Sequence, residues 1–177
     1  MNLPNKLSIL RVLCVPVIVV LMLLEGREWQ WAALAVFLLA SFTDYLDGHL
    51  ARKHQLITDF GKFIDPVADK LLVLSTLIML IHRDLMPAWA VVIILTRELC
   101  VDGLRLIAAT KGKVIAAGPL GKIKTVTQMI LISWTITFQI PVMSHWSGII
   151  LLVAAVGMTL ISGVDYFRRN LSVFETT

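Results

Sequence analysis

Six apolar stretches follow one another along the chain, roughly Ser8–Leu24, Trp31–Asp47, Phe63–Ile81, Pro87–Ile107, Val126–Ile140 and Trp146–Phe167. A bilayer core is crossed by ~20 apolar helical residues, fewer where polar ends reach the interface. Each stretch is rich in Leu, Ile, Val and Ala, and none alternates apolar with polar residues as a barrel strand does. The breaks carry turn chemistry, in "EGREW", "HRDLMP", "KGKVIAAGPLGK" and "QIPVMSHW". With 58% hydrophobic and 16% charged residues among 177, there is too little polar side chain for a water-facing surface. The expectation is an all-α integral membrane protein of six transmembrane helices, one domain over residues 1–177. The start "MNLPNKLSILRV" carries basic residues ahead of an apolar run, has no small-residue cleavage motif after it, and reads as the lead-in to the first span.

Six spans divide Lys and Arg unevenly. One side receives Lys6, Arg11, Arg52, Lys53, Lys62, Arg105, Lys111, Lys113, Lys122, Lys124, Arg168 and Arg169; the other receives Arg27 and Arg83. The positive-inside rule then makes both termini cytoplasmic, in what reads as a bacterial inner membrane. The formal charge of +4 is gathered on that face, where it favours lipid headgroups or phosphorylated substrates. Nucleic acid is a poor partner, because no soluble basic module exists. Cys14 and Cys100 lie in apolar runs without a CxxC neighbour, so packing is expected of them rather than a disulfide or zinc.

The stretch Asp44 to Lys70, "DYLDGHLARKHQLITDFGKFIDPVADK", breaks the apolar pattern. A carboxylate inside a helix bundle costs several kcal/mol unless it is paired or coordinated. Asp44 and Asp47 share one helical face, Asp65 and Asp69 share another, and a cytoplasmic turn between them lets the two pairs face each other. Four hard oxygen donors repel without a cation, and oxygen-only ligation suits Mg²⁺, Mn²⁺ or Ca²⁺ rather than zinc. Four carboxylates exceed what one Mg²⁺ takes from protein, so two metals fit. Pairing with Arg52 and Lys70 would neutralise at most two of the four. Gly48, Ala51 and Gly61 leave room for a ligand near the backbone, and Arg52 offers a planar cation for phosphate. Pro66 lacks a backbone donor, so a helix either starts or kinks there; Asp59 reads as a solvated loop residue.

The pattern Asp44-x2-Asp47-Gly48-x2-Ala51-Arg52-x8-Gly61-x3-Asp65-x3-Asp69 matches, at every fixed position, the signature of the CDP-alcohol phosphotransferase family, which the chain therefore resembles. The resemblance implies a six-helix membrane enzyme, usually a homodimer, that displaces CMP from a CDP-linked lipid with a second alcohol. It implies two divalent metals, Mg²⁺ or Mn²⁺, on Asp44, Asp47, Asp65 and Asp69, with Asp69 also the general base. Gly48, Ala51 and Gly61 would then line the space for cytidine and its phosphates.

"PNKLSILRV", "TREL", "GLR" and "LGKIKT" resemble the branch of that family whose donor is CDP-diacylglycerol and whose acceptor is sn-glycerol 3-phosphate. The residues themselves point to a phosphorylated acceptor. Arg97 lies well inside the fourth stretch, two turns before Arg105, and a buried arginine needs an anion, either an acid such as Glu98 or Asp102 or a bound phosphate. Lys122 and Lys124 join these two as an expected glycerol-phosphate pocket. Asn5, Ser8 and Arg11, spaced three apart, are expected either on the CDP-lipid or in an interfacial lead-in. Asp102 either weakens the cationic pocket or orients Arg97 or Arg105. Competing readings are an inositol-phosphate, serine or cardiolipin-forming member of the same family, and a divalent-cation transporter. The transporter is disfavoured by the lack of repeats and by Arg52 beside the acids.

Overall fold

The computed structural model describes residues 3–54, 59–112, 115 and 118–171, and among them the side chains except those of 3–5, 44–54, 59–66 and 69. The helices, in order, are α1 (Leu3–Leu23), α2 (Arg27–His54), α3 (Asp59–His82), α4 (Ala88–Thr110), α5 (Pro119–Phe138) and α6 (Trp146–Arg169), with a 3₁₀ turn at Val142–Ser144. No strand occurs among the described residues. Each apolar stretch seen in the sequence is the body of one helix. The polar flanks extend α2 beyond Asp47 to His54 and open α3 at Asp59, ahead of Pro66. Asp59 is thus the first residue of a helix and not of a loop, and Pro66 does not start it.

The chain divides into two compact units. One comprises residues 1–83 with 136–139; the other comprises 84–135 with 140–177. In the first, α1 packs against both α2 and α3, and α2 touches α3. The seam is a stripe on each helix: Ser8, Arg11, Ile18 and Met22 on α1, Ala33, Phe37 and Ala40 on α2, and Ala68, Leu72, Leu77 and Leu80 on α3, all buried. Alanines at 33, 40 and 68 let backbones approach, as helix packing in lipid demands where burial from water is not the driving force. Arg83 donates Nη1 to the carbonyl of Met22 at 3.0 Å, meeting one of the carbonyls left open at the end of α1.

In the second unit α6 packs against α4 and against the 3₁₀ turn. Its buried positions, Gly148, Leu152, Ala155, Val156, Thr159, Ser162, Gly163 and Tyr166, recur at helical spacing and form one face. Gln128 of α5 donates to the Thr159 hydroxyl of α6 at 3.0 Å, a buried polar tie between the two helices. The amide of Val142 reaches back to the carbonyl of Leu85 at 2.9 Å.

The outward faces are apolar as well. Leu39 is 66% exposed, Leu106 69%, Ile150 63% and Val153 65%. Water would penalise such a surface and a bilayer does not, so these faces fit a membrane protein. By length and composition two helices among the described residues suffice to cross: Lys6–Leu23 and Trp146–Arg169, with mean hydropathy 2.4 and 2.2. The six-span expectation is not met on that measure, for a physical reason. Arg97, Glu98, Asp102 and Arg105 interrupt α4, Lys122, Lys124 and Gln128 interrupt α5, and the described apolar part of α3 is the shorter Lys70–His82.

Gly148 sits where α6 starts against the turn. A Cβ there would lie 2.4 Å from the Val142 carbonyl and 2.9 Å from the Trp134 ring. Gly148→Ala is therefore expected to destabilise the chain by about 1–3 kcal/mol, read as a lower midpoint in thermal unfolding of the detergent-purified protein.

Candidate functional site

The four aspartates fall on two helices of the same unit, Asp44 and Asp47 on α2 and Asp65 and Asp69 on α3, with residues 55–58 between the helices. Their side chains, and those of Gly48, Ala51, Arg52 and Gly61, lie outside the described residues, as does Asn5. The helical register still says much about the positions. On α2, Ala33, Phe37 and Ala40 are buried, and positions 44 and 47 continue that stripe at steps of four and three. On α3, Leu72, Thr76 and Leu80 are buried, and positions 65 and 69 continue that stripe toward the helix start. Thr43 returns its hydroxyl to the Ala40 carbonyl at 2.7 Å, and so satisfies itself just ahead of the first aspartate. Among the described side chains, no group of three or more His, Cys, Asp or Glu gathers.

On α1, Ser8 is 0% and Arg11 1% exposed. Both therefore belong to the packed stripe of the first unit, and both have interaction partners. Such burial differs from that of an interfacial arginine, which keeps its head in water. Arg11 is instead the largest of the fully buried side chains. A buried guanidinium needs anions around it, and this unit carries the carboxylates.

The second unit holds a cluster of its own. Glu98 of α4, 8% exposed, accepts with the same oxygen, Oε1, from Lys124 Nζ at 2.5 Å and from Arg97 Nη1 at 3.2 Å. Lys124 is 6% exposed, and one buried acid thus meets two cations. Arg97 lies along α6 at Gly163, where an added Cβ would stand 3.1 Å from Arg97 Cγ; its Nε is buried without a hydrogen bond. Arg105, two turns on, is half-buried, donates Nε to the Tyr166 hydroxyl at 2.9 Å, and places its guanidinium carbon 5.4 Å from the ring centre. Asp102 is half-buried and has partners of its own.

Three of the four expected acceptor cations are thus held by neighbouring side chains. Lys122 is not. It is exposed at the start of α5, because two helical residues are turned by roughly 200° and Lys122 and Lys124 cannot share a face. Tyr166 and Gly163 went unremarked in the sequence. Nothing local marks them, since the tyrosine meets its arginine 61 residues away. Glu98 was legible as a partner because it adjoins Arg97.

The chain is similar in sequence to known proteins. A family model described as CDP-alcohol phosphatidyltransferase matches residues 1–161. The chain is 41% identical to a Bacillus subtilis (strain 168) protein named "CDP-diacylglycerol--glycerol-3-phosphate 3-phosphatidyltransferase", over 99% of this chain and 98% of that one. It is 39% identical to a Rickettsia typhi protein of the same name, over 98% of this chain and 99% of that one. A Cereibacter sphaeroides protein, again with that name, is 31% identical over 96% of each.

Glu98→Gln strips the two buried cations of their shared counter-charge. Breaking a buried pair in this way costs about 3–5 kcal/mol. The expected result is a fall of about 10 °C in the unfolding midpoint of the purified protein, partly recovered by adding Lys124→Met; an unchanged midpoint would mean the pair bears no strain of burial.

Proposed function

The chain belongs to the CDP-alcohol phosphatidyltransferase family, and on that premise we propose that it transfers the phosphatidyl group of CDP-diacylglycerol to sn-glycerol 3-phosphate, releasing CMP and phosphatidylglycerophosphate. The observation that carries this is the near full-length similarity to relatives named for that donor and that acceptor. Anionic-lipid synthesis at the inner face of a bacterial membrane, by six helices with both termini in the cytoplasm and two chains per enzyme, completes the proposal. The twelve-to-two division of Lys and Arg and the apolar outer faces of the helices support it.

The donor set fits divalent ions. Asp44, Asp47, Asp65 and Asp69 supply hard oxygens at register positions that extend the inner stripes of α2 and α3. Bound Mg²⁺ or Mn²⁺ would neutralise the diphosphate of the donor and the charge that builds on departing CMP. The remaining work belongs to the chain. Gly48, Ala51 and Gly61 leave space for the nucleotide, Arg52 and Arg11 meet its phosphates, and Asn5 and Ser8 contact the nucleotide from α1. Asp69 accepts the proton from the primary hydroxyl of the acceptor as its oxygen bonds to the phosphatidyl phosphorus and the bond to CMP breaks. Arg97, Arg105 and Lys124 hold the acceptor's phosphate. Their surplus of positive charge over Glu98 suits a dianion and would be wasted on an uncharged alcohol.

Asp69→Asn is expected to lower kcat by at least ~100-fold while the variant still binds CDP-diacylglycerol in an equilibrium assay; a variant with wild-type turnover would remove Asp69 as base. EDTA should silence CMP release, and Mg²⁺ or Mn²⁺ in excess should restore it. Activity that persists through exhaustive chelation would contradict the carboxylate-bound metal.

A further inference from the structure

We propose that Tyr166 is a positioning residue for Arg105, and that its hydroxyl decides how this arginine presents itself to the acceptor's phosphate. The inference rests on the placing of Arg105 in the acceptor pocket. The tyrosine ring is 6% exposed and is fixed in an apolar cluster with Val101, Leu104 and Ala108 of α4, flanked by Ile115 and Phe167. Its backbone carbonyl accepts from Asn170 Nδ2 at 2.7 Å, which ties down the end of α6. The hydroxyl therefore has a fixed place, and it accepts from Arg105 Nε at 2.9 Å.

That choice of nitrogen has a geometric result. A guanidinium grips an oxyanion either side-on, through Nε and one terminal nitrogen, or end-on, through both terminal nitrogens. With Nε engaged by Tyr166, the end-on fork is what Arg105 offers. The anchor is also neutral. Arg97 and Lys124 give up part of their charge to Glu98, whereas a phenol orients Arg105 without discharging it. The acid adjacent to Tyr166, Asp165, is taken by Arg169 at 2.8 Å. Arg105 is thus held in one orientation, by a partner that carries no charge of its own, before any ligand arrives. Ordering a long side chain in advance removes a penalty that would otherwise fall on binding.

The test uses the full-length protein in mixed micelles with CDP-diacylglycerol and Mg²⁺, comparing wild type, Tyr166→Phe, Arg105→Lys and the double variant. Tyr166→Phe keeps the buried ring and removes only the hydroxyl. It should raise the KM for sn-glycerol 3-phosphate about fivefold and leave the KM for CDP-diacylglycerol and the unfolding midpoint unchanged. Arg105→Lys keeps the charge but has neither Nε nor fork. It should raise the same KM, and Tyr166→Phe should then add less than about twofold. If Arg105→Lys raises that KM while Tyr166→Phe does not, the positioning role is wrong and the acceptor pocket stands. If Arg105→Lys leaves it unchanged, the pocket itself is wrong and the role of Tyr166 goes with it. A lower unfolding midpoint in Tyr166→Phe, with both KM values moving together, assigns the hydroxyl to packing and overturns the proposal.

Discussion

A charge held among apolar helices must find a counter-charge, a ligand or water close by, because lipid supplies none of these. In this chain the requirement is visible at Glu98, where one carboxylate oxygen meets both Lys124 and Arg97. The consequences spread outward. α4 and α5 cannot be uniformly apolar, since they carry this cluster, and so neither matches the hydropathy of α1 or α6. Glycine at position 163 of α6 leaves room for the stem of Arg97, since a Cβ there would stand 3.1 Å from Arg97 Cγ. Packing in the second unit is thus arranged around ionisable groups as much as around leucine and isoleucine.

The first unit meets the same requirement differently. Its buried cation, Arg11, belongs to the inner stripe of α1, and the positions of the four aspartates extend the inner stripes of α2 and α3. The second unit keeps its ionisable groups in direct contact instead, Glu98 with Lys124 and Arg97, and Arg105 with Tyr166.

Much of this was legible in the sequence. The helices could be read because each apolar stretch is long and its breaks carry Gly, Pro or clustered charge; the structure moved most ends by a few residues and the polar-flanked ones further, α1 back to Leu3, α2 on to His54 and α5 back to Pro119. The aspartate signature could be read because its spacings are local. Arg97 and Glu98 could be read because they adjoin. What escaped depended on tertiary placement: burial of Arg11 and Ser8, the opposite fates of Lys122 and Lys124, and the pairing of Arg105 with Tyr166. Two lysines separated by one residue look equivalent in a string, yet a helix turns them to opposite sides. No periodicity announces which tyrosine will reach which arginine across 61 residues.

The bond between Arg105 and Tyr166 ties an α4 side chain to the last turn of α6. A slide of α6 by one residue's rise, ~1.5 Å, across this 2.9 Å bond would lengthen it to roughly 3.3 Å and weaken it. Helices adjust their tilt and depth to the hydrocarbon thickness around them. The strength of this tie would then follow the thickness of the hydrocarbon around it, so that the order of a charged side chain is linked to the lipid that borders it.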